Sequence, residues 1–144
     1  VIRRFGGKDG LVDAAAERAQ RRISDERAAA PVGDLQGSVA VLMEHYETYG
    51  DRVMRLLADE SQTPRIGEMV EQGRIAHREW CARVFAPTLK DLKGAARVRR
   101  SAQLVAICDV YTWKLLRRDA NLSRAQTELA LVELLEPLIA GSSA

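Results

Sequence analysis

The sequence predicts an all-α protein, a helical bundle whose last two helices form a hairpin that pairs with a second copy. Three observations carry this. Apolar residues recur at spacings of three and four along most of the chain, the repeat of a helix face. No stretch alternates apolar and polar residues as a half-buried strand does. Finally, the helices between Arg97 and Ile139 carry apolar residues on more than one stripe.

That hairpin organises the rest. Val98, Ala102, Val105, Thr112 and Leu116 make one seam of its first helix, and Leu104, Cys108, Tyr111 and Leu115 make another. After a break at Asp119-Ala120-Asn121-Leu122-Ser123, Ala125, Leu129 and Val132 form one line, and Leu131, Leu135 and Leu138 a second. A surface helix needs one apolar stripe toward its own core. One chain supplies one cover, so a twin is expected to supply the other. The expected homodimer interface is Val105, Thr112, Leu116, Leu129, Val132, Leu135 and Leu138.

Taken in order, Val1 to Phe5 reads as the tail of a helix, broken by Gly6-Gly7. A helix follows from Lys8 to Arg27, with Val12, Ala15, Ala19 and Ile23 on one face. Gly7 can cap it, and Asp9 suits the positive end of its dipole. Ala28 to Gly33, with Pro31, is a linker. Asp34 caps the next helix, whose line is Leu35, Val39, Leu42, Tyr46 and Tyr49. Gly50-Asp51 is expected to interrupt or bend it, leaving a short helix over Arg52 to Asp59. Thr63-Pro64 is a start signal, a capping hydroxyl followed by Pro at the first helical position. That helix reaches Phe85 along the seam Ile66, Val70, Gly73, His77, Trp80 and Val84. Thr88 to Gly94 is a loop before the hairpin. Ser123 with Gln126 makes a capping box, and Pro137 predicts a kinked or frayed last turn.

The bulk numbers set bounds. The chain has 144 residues, a hydrophobic fraction of 47% and a net charge of +2, ordinary for one globular unit and uninformative about nucleic acid. No apolar run approaches the roughly 20 residues of a membrane helix, and Val1-Ile2-Arg3-Arg4 does not open a signal peptide. Cys81 and Cys108 lie inside helical patterns, as in a reducing cytoplasm, so the expected location is cytoplasmic. Because it opens on Val1, the chain is expected to begin inside a longer one.

Two segments together resemble the TetR family of bacterial transcriptional regulators. The first is Val1-Ile2-Arg3-Arg4-Phe5-Gly6-Gly7-Lys8-Asp9-Gly10-Leu11, similar to the end of that family's DNA-recognition helix and the start of its fourth helix. Phe5, Lys8 and Leu11 match its aromatic, lysine and apolar positions; Ile2 stands where the family often has Tyr. The second runs from Asp109 to Asp119 with Leu122-Ser123-Arg124-Ala125, similar to the family's dimerisation hairpin. The resemblance covers essentially the whole chain but lacks the family's first helices. It implies a remnant of a helix-turn-helix domain over 1–27 and a ligand-binding and dimerisation domain over 28–144.

What the resemblance implies is a DNA-binding regulator, a repressor released from operator DNA by a small, largely apolar ligand. Arg3, Arg4 and Lys8 would contact DNA, beside a helix N-terminus whose free N–H groups suit a phosphate; charge alone reads equally as a solvated basic corner. The helix over Arg52 to Asp59 would press on the one from Lys8. Met43, Tyr46, Tyr49, Met54, Met69, His77, Trp80, Cys81, Val84, Cys108, Asp109 and Trp113 resemble the wall of a ligand cavity, since such cavities need flat and adaptable apolar residues. Taken singly, each also fits plain core packing. His77 and Asp109 interrupt apolar seams; they anchor a ligand or satisfy one another or a nearby Trp. His77 and Cys81, four apart, are too few for a metal site. No cofactor, metal or catalytic constellation is expected. The alternative is a homodimeric helical scaffold with a filled core and no pocket.

Overall fold

The computed structural model describes residues 8–141, and side chains from 10 onward. The described residues form an all-α bundle: α1 (Lys8–Ala28), α2 (Leu35–Ala58), α3 (Pro64–Val84), α4 (Ala86–Leu89), α5 (Gly94–Ile107), α6 (Val110–Lys114), a π-helical turn (Leu115–Asp119) and α7 (Arg124–Ala140). Arg3 and Arg4 lie outside the described residues, and so does the side chain of Lys8.

Local chemistry sets the starts. The Asp34 carboxylate accepts from Gly37 N at 2.9 Å, the Thr63 hydroxyl from Ile66 N at 3.2 Å, and the Ser123 hydroxyl from Gln126 N at 3.1 Å. Each satisfies an amide that has no partner within its own helix. Asn121, with φ 56, turns the chain between the hairpin arms; Asn tolerates this left-handed region better than most residues.

α2 is the central element, packed against α7, α6, α1 and α3. Val39, Leu42, Met43 and Tyr46 bury along it and meet Trp113, Leu104, Leu131 and Leu135. Removing such side chains from water is the main stabilising term of the fold.

Four expectations change. α2 runs unbroken through Gly50-Asp51, so Arg52 to Asp59 is its last part and not a separate helix. Gly50 is there because the Trp113 ring lies against its backbone, leaving no room for a Cβ. The hairpin's first arm is not one helix. It breaks at Cys108-Asp109, where the Asp109 carboxylate accepts from Tyr111 N at 3.0 Å and caps a new start. The segment after Pro87 is partly the short helix α4. α7 continues past Pro137 to Ala140.

The apolar stripes of the hairpin also divide differently. Leu135 is 0% exposed and Val132 is buried, because both belong to the core of their own chain, where α7 packs on α2 and α5. They leave no surface for a partner and are struck from the interface. Val105, Thr112, Leu116 and Leu138 are half-buried. Leu115 and Leu129 are 58% and 48% exposed, and Tyr111 joins them at the surface.

Candidate functional site

The end of α1, the middle of α3 and the α5–α6 junction meet around one buried polar cluster. α3 contributes His77, Trp80 and Cys81, which share a face because residues three and four apart are neighbours on a helix. α1 contributes Arg27 from its last turn. α2 contributes His45 and Tyr46, and the α5–α6 break contributes Cys108 and Asp109.

Arg27 joins α1 to α3. Its guanidinium lies 3.1 Å from His77 Nδ1 and 4.8 Å from the centre of the Trp80 ring, a cation–π arrangement. Its backbone carbonyl accepts from Trp80 Nε1 at 2.9 Å and from Arg83 at 3.4 Å. On the other side of the imidazole, Nε2 is 3.0 Å from the Val105 carbonyl, 3.8 Å from an Asp109 oxygen and 3.9 Å from Cys81 Sγ. An arginine can only donate, so Nδ1 accepts and Nε2–H donates to Val105, which is one neutral tautomer. Burial works against a charge on His77, while the Cys81 sulfur and the Val105 carbonyl favour one and raise its pKa on balance. The Arg27 N–H on Nδ1 requires the neutral ring in the arrangement seen.

The two thiols are free and buried. The neighbouring Cys108 thiol, with help from His77 and Arg27, lowers Cys81 to about 6, while Cys108 is raised by Cys81 and by burial. Tyr46 donates to the Cys108 carbonyl at 2.7 Å and fixes the end of α5. Burial, with Arg27 and His77 nearby, drives His45 down to about 3, so it is a neutral core residue.

Space beside this cluster lies in grooves. One, of about 400 Å³, runs between α3 and α5, with Arg78, Cys81, Ala82, Ser101, Ala102 and Val105 among its walls. Another, of about 460 Å³, is lined by the linker, the end of α3 and the end of α7.

The expected cavity residues therefore separate. His77, Trp80, Cys81, Cys108 and Asp109 do come together. Cys81 reaches the α3–α5 groove, and Val84 lines the other one. Met43, Tyr46 and Trp113 are packed into the core, where α2 presses on α6. Met54 is half-buried against that core. Tyr49 is half-buried and donates to Glu26 at 3.2 Å. Met69 is 48% exposed and stands apart from both grooves. His77 meets Asp109, Arg27 and Val105 at once, so an internal network satisfies it. Among the described residues no three metal-ligating side chains converge.

Arg27 was invisible to sequence reasoning. A basic residue in a helix's last turn is commonplace, and nothing local marks it as the partner of a histidine fifty residues on. Asp109 as a cap was more accessible, since Asp before a helical run is a start signal. The continuous apolar spacing around it masked that signal.

No family model, curated protein or solved structure matches this chain.

Proposed function

We propose that this chain is the ligand-binding and dimerisation part of a DNA-binding transcription regulator of the TetR type, a repressor released from its operator by a small, largely apolar molecule. The observation that carries the reading is the way α1 is held. This helix of 21 residues is mostly exposed, Val12 included; Leu11 and Ala14 near its start and Ile23 and Arg27 near its end are half-buried. There Arg27 grips His77 and Trp80 of α3. One helical turn further along α3, Cys81 forms part of the groove wall. A guest between α3 and α5 thus lies one residue removed from the contact that seats α1. Such a guest shifts α1 only by binding one seating more tightly than the other.

In this reading the segment from Arg3 to Lys8 faces operator DNA, and the exposed Tyr111, Leu115 and Leu129 seat the second copy. Exposed apolar residues on a hairpin are ordinary singly and informative together. The test is a titration of the intact dimer on operator DNA, with and without candidate small apolar ligands. Binding that weakens steeply with salt, and is released by one of them, supports the reading. Unchanged affinity at saturating ligand refutes the induction mechanism.

One observation favours the alternative, a homodimeric interaction scaffold. The interior beside Trp113 and Met43 is filled, and the open space lies at the surface. A scaffold binds no small molecule in the α3–α5 groove, and native mass spectrometry of the purified dimer separates the two.

A further inference from the structure

We propose that the seating of α1 on α3 is a proton-sensitive latch, closed while His77 is neutral and opened when His77 takes up a proton. Donor and acceptor roles decide this. The Arg27 guanidinium lies 3.1 Å from His77 Nδ1, and the Val105 carbonyl lies 3.0 Å from Nε2. Neither partner can change its part, since a guanidinium only donates and a carbonyl only accepts. The ring between them is fixed as the neutral tautomer with its proton on Nε2. A further proton has one place to go, Nδ1, and there it would face the Arg27 N–H. Two donors and two positive charges then meet at hydrogen-bond distance, and the side chain with a way out moves. His77 is buried in the middle of α3, whereas Arg27 is half-buried in the last turn of α1.

The groups around the ring fit this assignment. α1 presents Arg27, α2 presents His45 and Tyr46, α3 presents Cys81, and the α5–α6 junction presents Cys108 and Asp109. Burial drives His45 down to about 3 and raises Tyr46, so both are neutral. Burial and Arg27 oppose a proton on His77, while the Cys81 sulfur and the Val105 carbonyl favour one. The Asp109 carboxylate, 3.8 Å from Nε2, favours it as well. A charged ring keeps Val105 and gains Asp109 as an ion-pair partner. α3 therefore stays fixed to the α5–α6 junction while α1 is let go. On balance the His77 pKa is raised, which places the opening above the pH at which an ordinary histidine charges.

The closed latch also carries a cost on the arginine side. Arg27 Nε is buried without a hydrogen-bond partner, and so is His45 Nδ1. An unpaired buried donor works against the arrangement that buries it, and a guanidinium swung into water recovers the lost bond. The Arg27 backbone carbonyl still accepts from Trp80 Nε1 at 2.9 Å, so α1 keeps a tether and loses its side-chain clamp. Departure of the guanidinium removes a charge that opposes the proton. The open seating thus binds the proton more tightly than the closed one, the condition for a proton to shift the balance. The switch needs neither DNA nor a guest in the groove.

The test follows the full chain across pH by NMR and by amide hydrogen exchange. The chain has two histidines, and His45 charges far lower, at about 3, so the His77 titration stands apart. At high pH its ring nitrogens should report the proton on Nε2. As the pH falls through the His77 pKa, exchange over residues 20–28, corrected for the intrinsic effect of pH, should quicken several-fold while α7 keeps its protection. His77→Gln, whose side-chain carbonyl can still accept from Arg27, should abolish the step. Arg27→Met should raise the His77 pKa by about one unit. Asp109→Asn keeps a capping side chain on α6 and removes the charge; it should lower the His77 pKa, and the midpoint of the exchange step should fall with it. A neutral ring protonated on Nδ1, no exchange step, a step that survives His77→Gln, or an unchanged pKa in Arg27→Met overturns the proposal. Should His77→Gln or Arg27→Met fail to fold, Asp109→Asn decides, because a midpoint that stays put while the His77 pKa moves overturns it equally.

Discussion

Gly50→Ala should destabilise this protein although alanine is the better helix former. An ideal Cβ at Gly50 lies 2.5 Å from Trp113 Cζ3, 2.8 Å from Cη2 and 3.0 Å from Cε3. Carbon atoms settle at about 3.5–4.0 Å, so the overlap is roughly 1 Å. The ring has little freedom to turn aside. Trp113 is fully buried, with the Tyr46 ring 6.0 Å away and the Arg118 guanidinium 4.9 Å from its centre. Overpacking of this kind costs about 1–3 kcal/mol, while Gly to Ala in a helix interior returns about 1 kcal/mol. The net expectation is a loss of up to about 2 kcal/mol. Trp113→Phe supplies the control. The atoms in conflict belong to the indole's outer ring, which Phe lacks, and the indole Nε1 has no hydrogen-bond partner to lose. In the Trp113→Phe background, Gly50→Ala should become neutral or stabilising, a coupling of about 1–3 kcal/mol across the double-mutant cycle. Urea unfolding followed by circular dichroism reads all four proteins. A single Gly50→Ala variant more stable than wild type, or a coupling near zero, refutes the packing argument.

Acidification should expose His45. Its folded pKa of about 3 lies below its ordinary 6.5, so its contribution is complete above about 6.5 and is lost as the pH falls toward 3. The slope from this one group is at most about 1.4 kcal/mol per pH unit; His45→Phe should flatten that limb in pH-dependent urea titrations. Tyr46→Phe removes the donor to the buried Cys108 carbonyl and should cost about 1–2 kcal/mol by the same unfolding assay. Leu115→Glu, on the exposed face of the hairpin, should convert a light-scattering mass of twice 16.0 kDa to 16.0 kDa while circular dichroism stays unchanged. A wild type already at the single mass refutes the pairing.

The helices were legible because their signals are local. Thr63-Pro64 and Ser123 start α3 and α7 where the sequence places them, and the caps form as capping chemistry requires. Gly50 misled because glycine in a helix reads as an interruption, and the reason for it sits in Trp113, far along the chain. Asp109 misled in the opposite sense. Apolar spacing runs through it, yet its carboxylate ends one helix and begins another. The stripes on α7 could not be apportioned from the sequence, since Leu131, Val132 and Leu135 on one side and Leu129 on the other look alike until the first three are seen buried in the core. In the candidate site, the residues of α3 shared a readable helical face. Arg27, Cys108 and Asp109 are brought to that face only by tertiary packing, and no spacing in the sequence encodes it.

The fastening of α1 has a mechanical consequence. Its hydrogen bonds to α3 gather at Arg27, while the cation–carboxylate link farther up, between Asp13 and Arg65, is exposed, where such pairs contribute little. A helix of 21 residues is about 31 Å long. Turned about its Arg27 end, such a helix would act as a lever. A tilt of roughly 10° at that pivot sweeps the far tip through about 5 Å, the pitch of one helical turn.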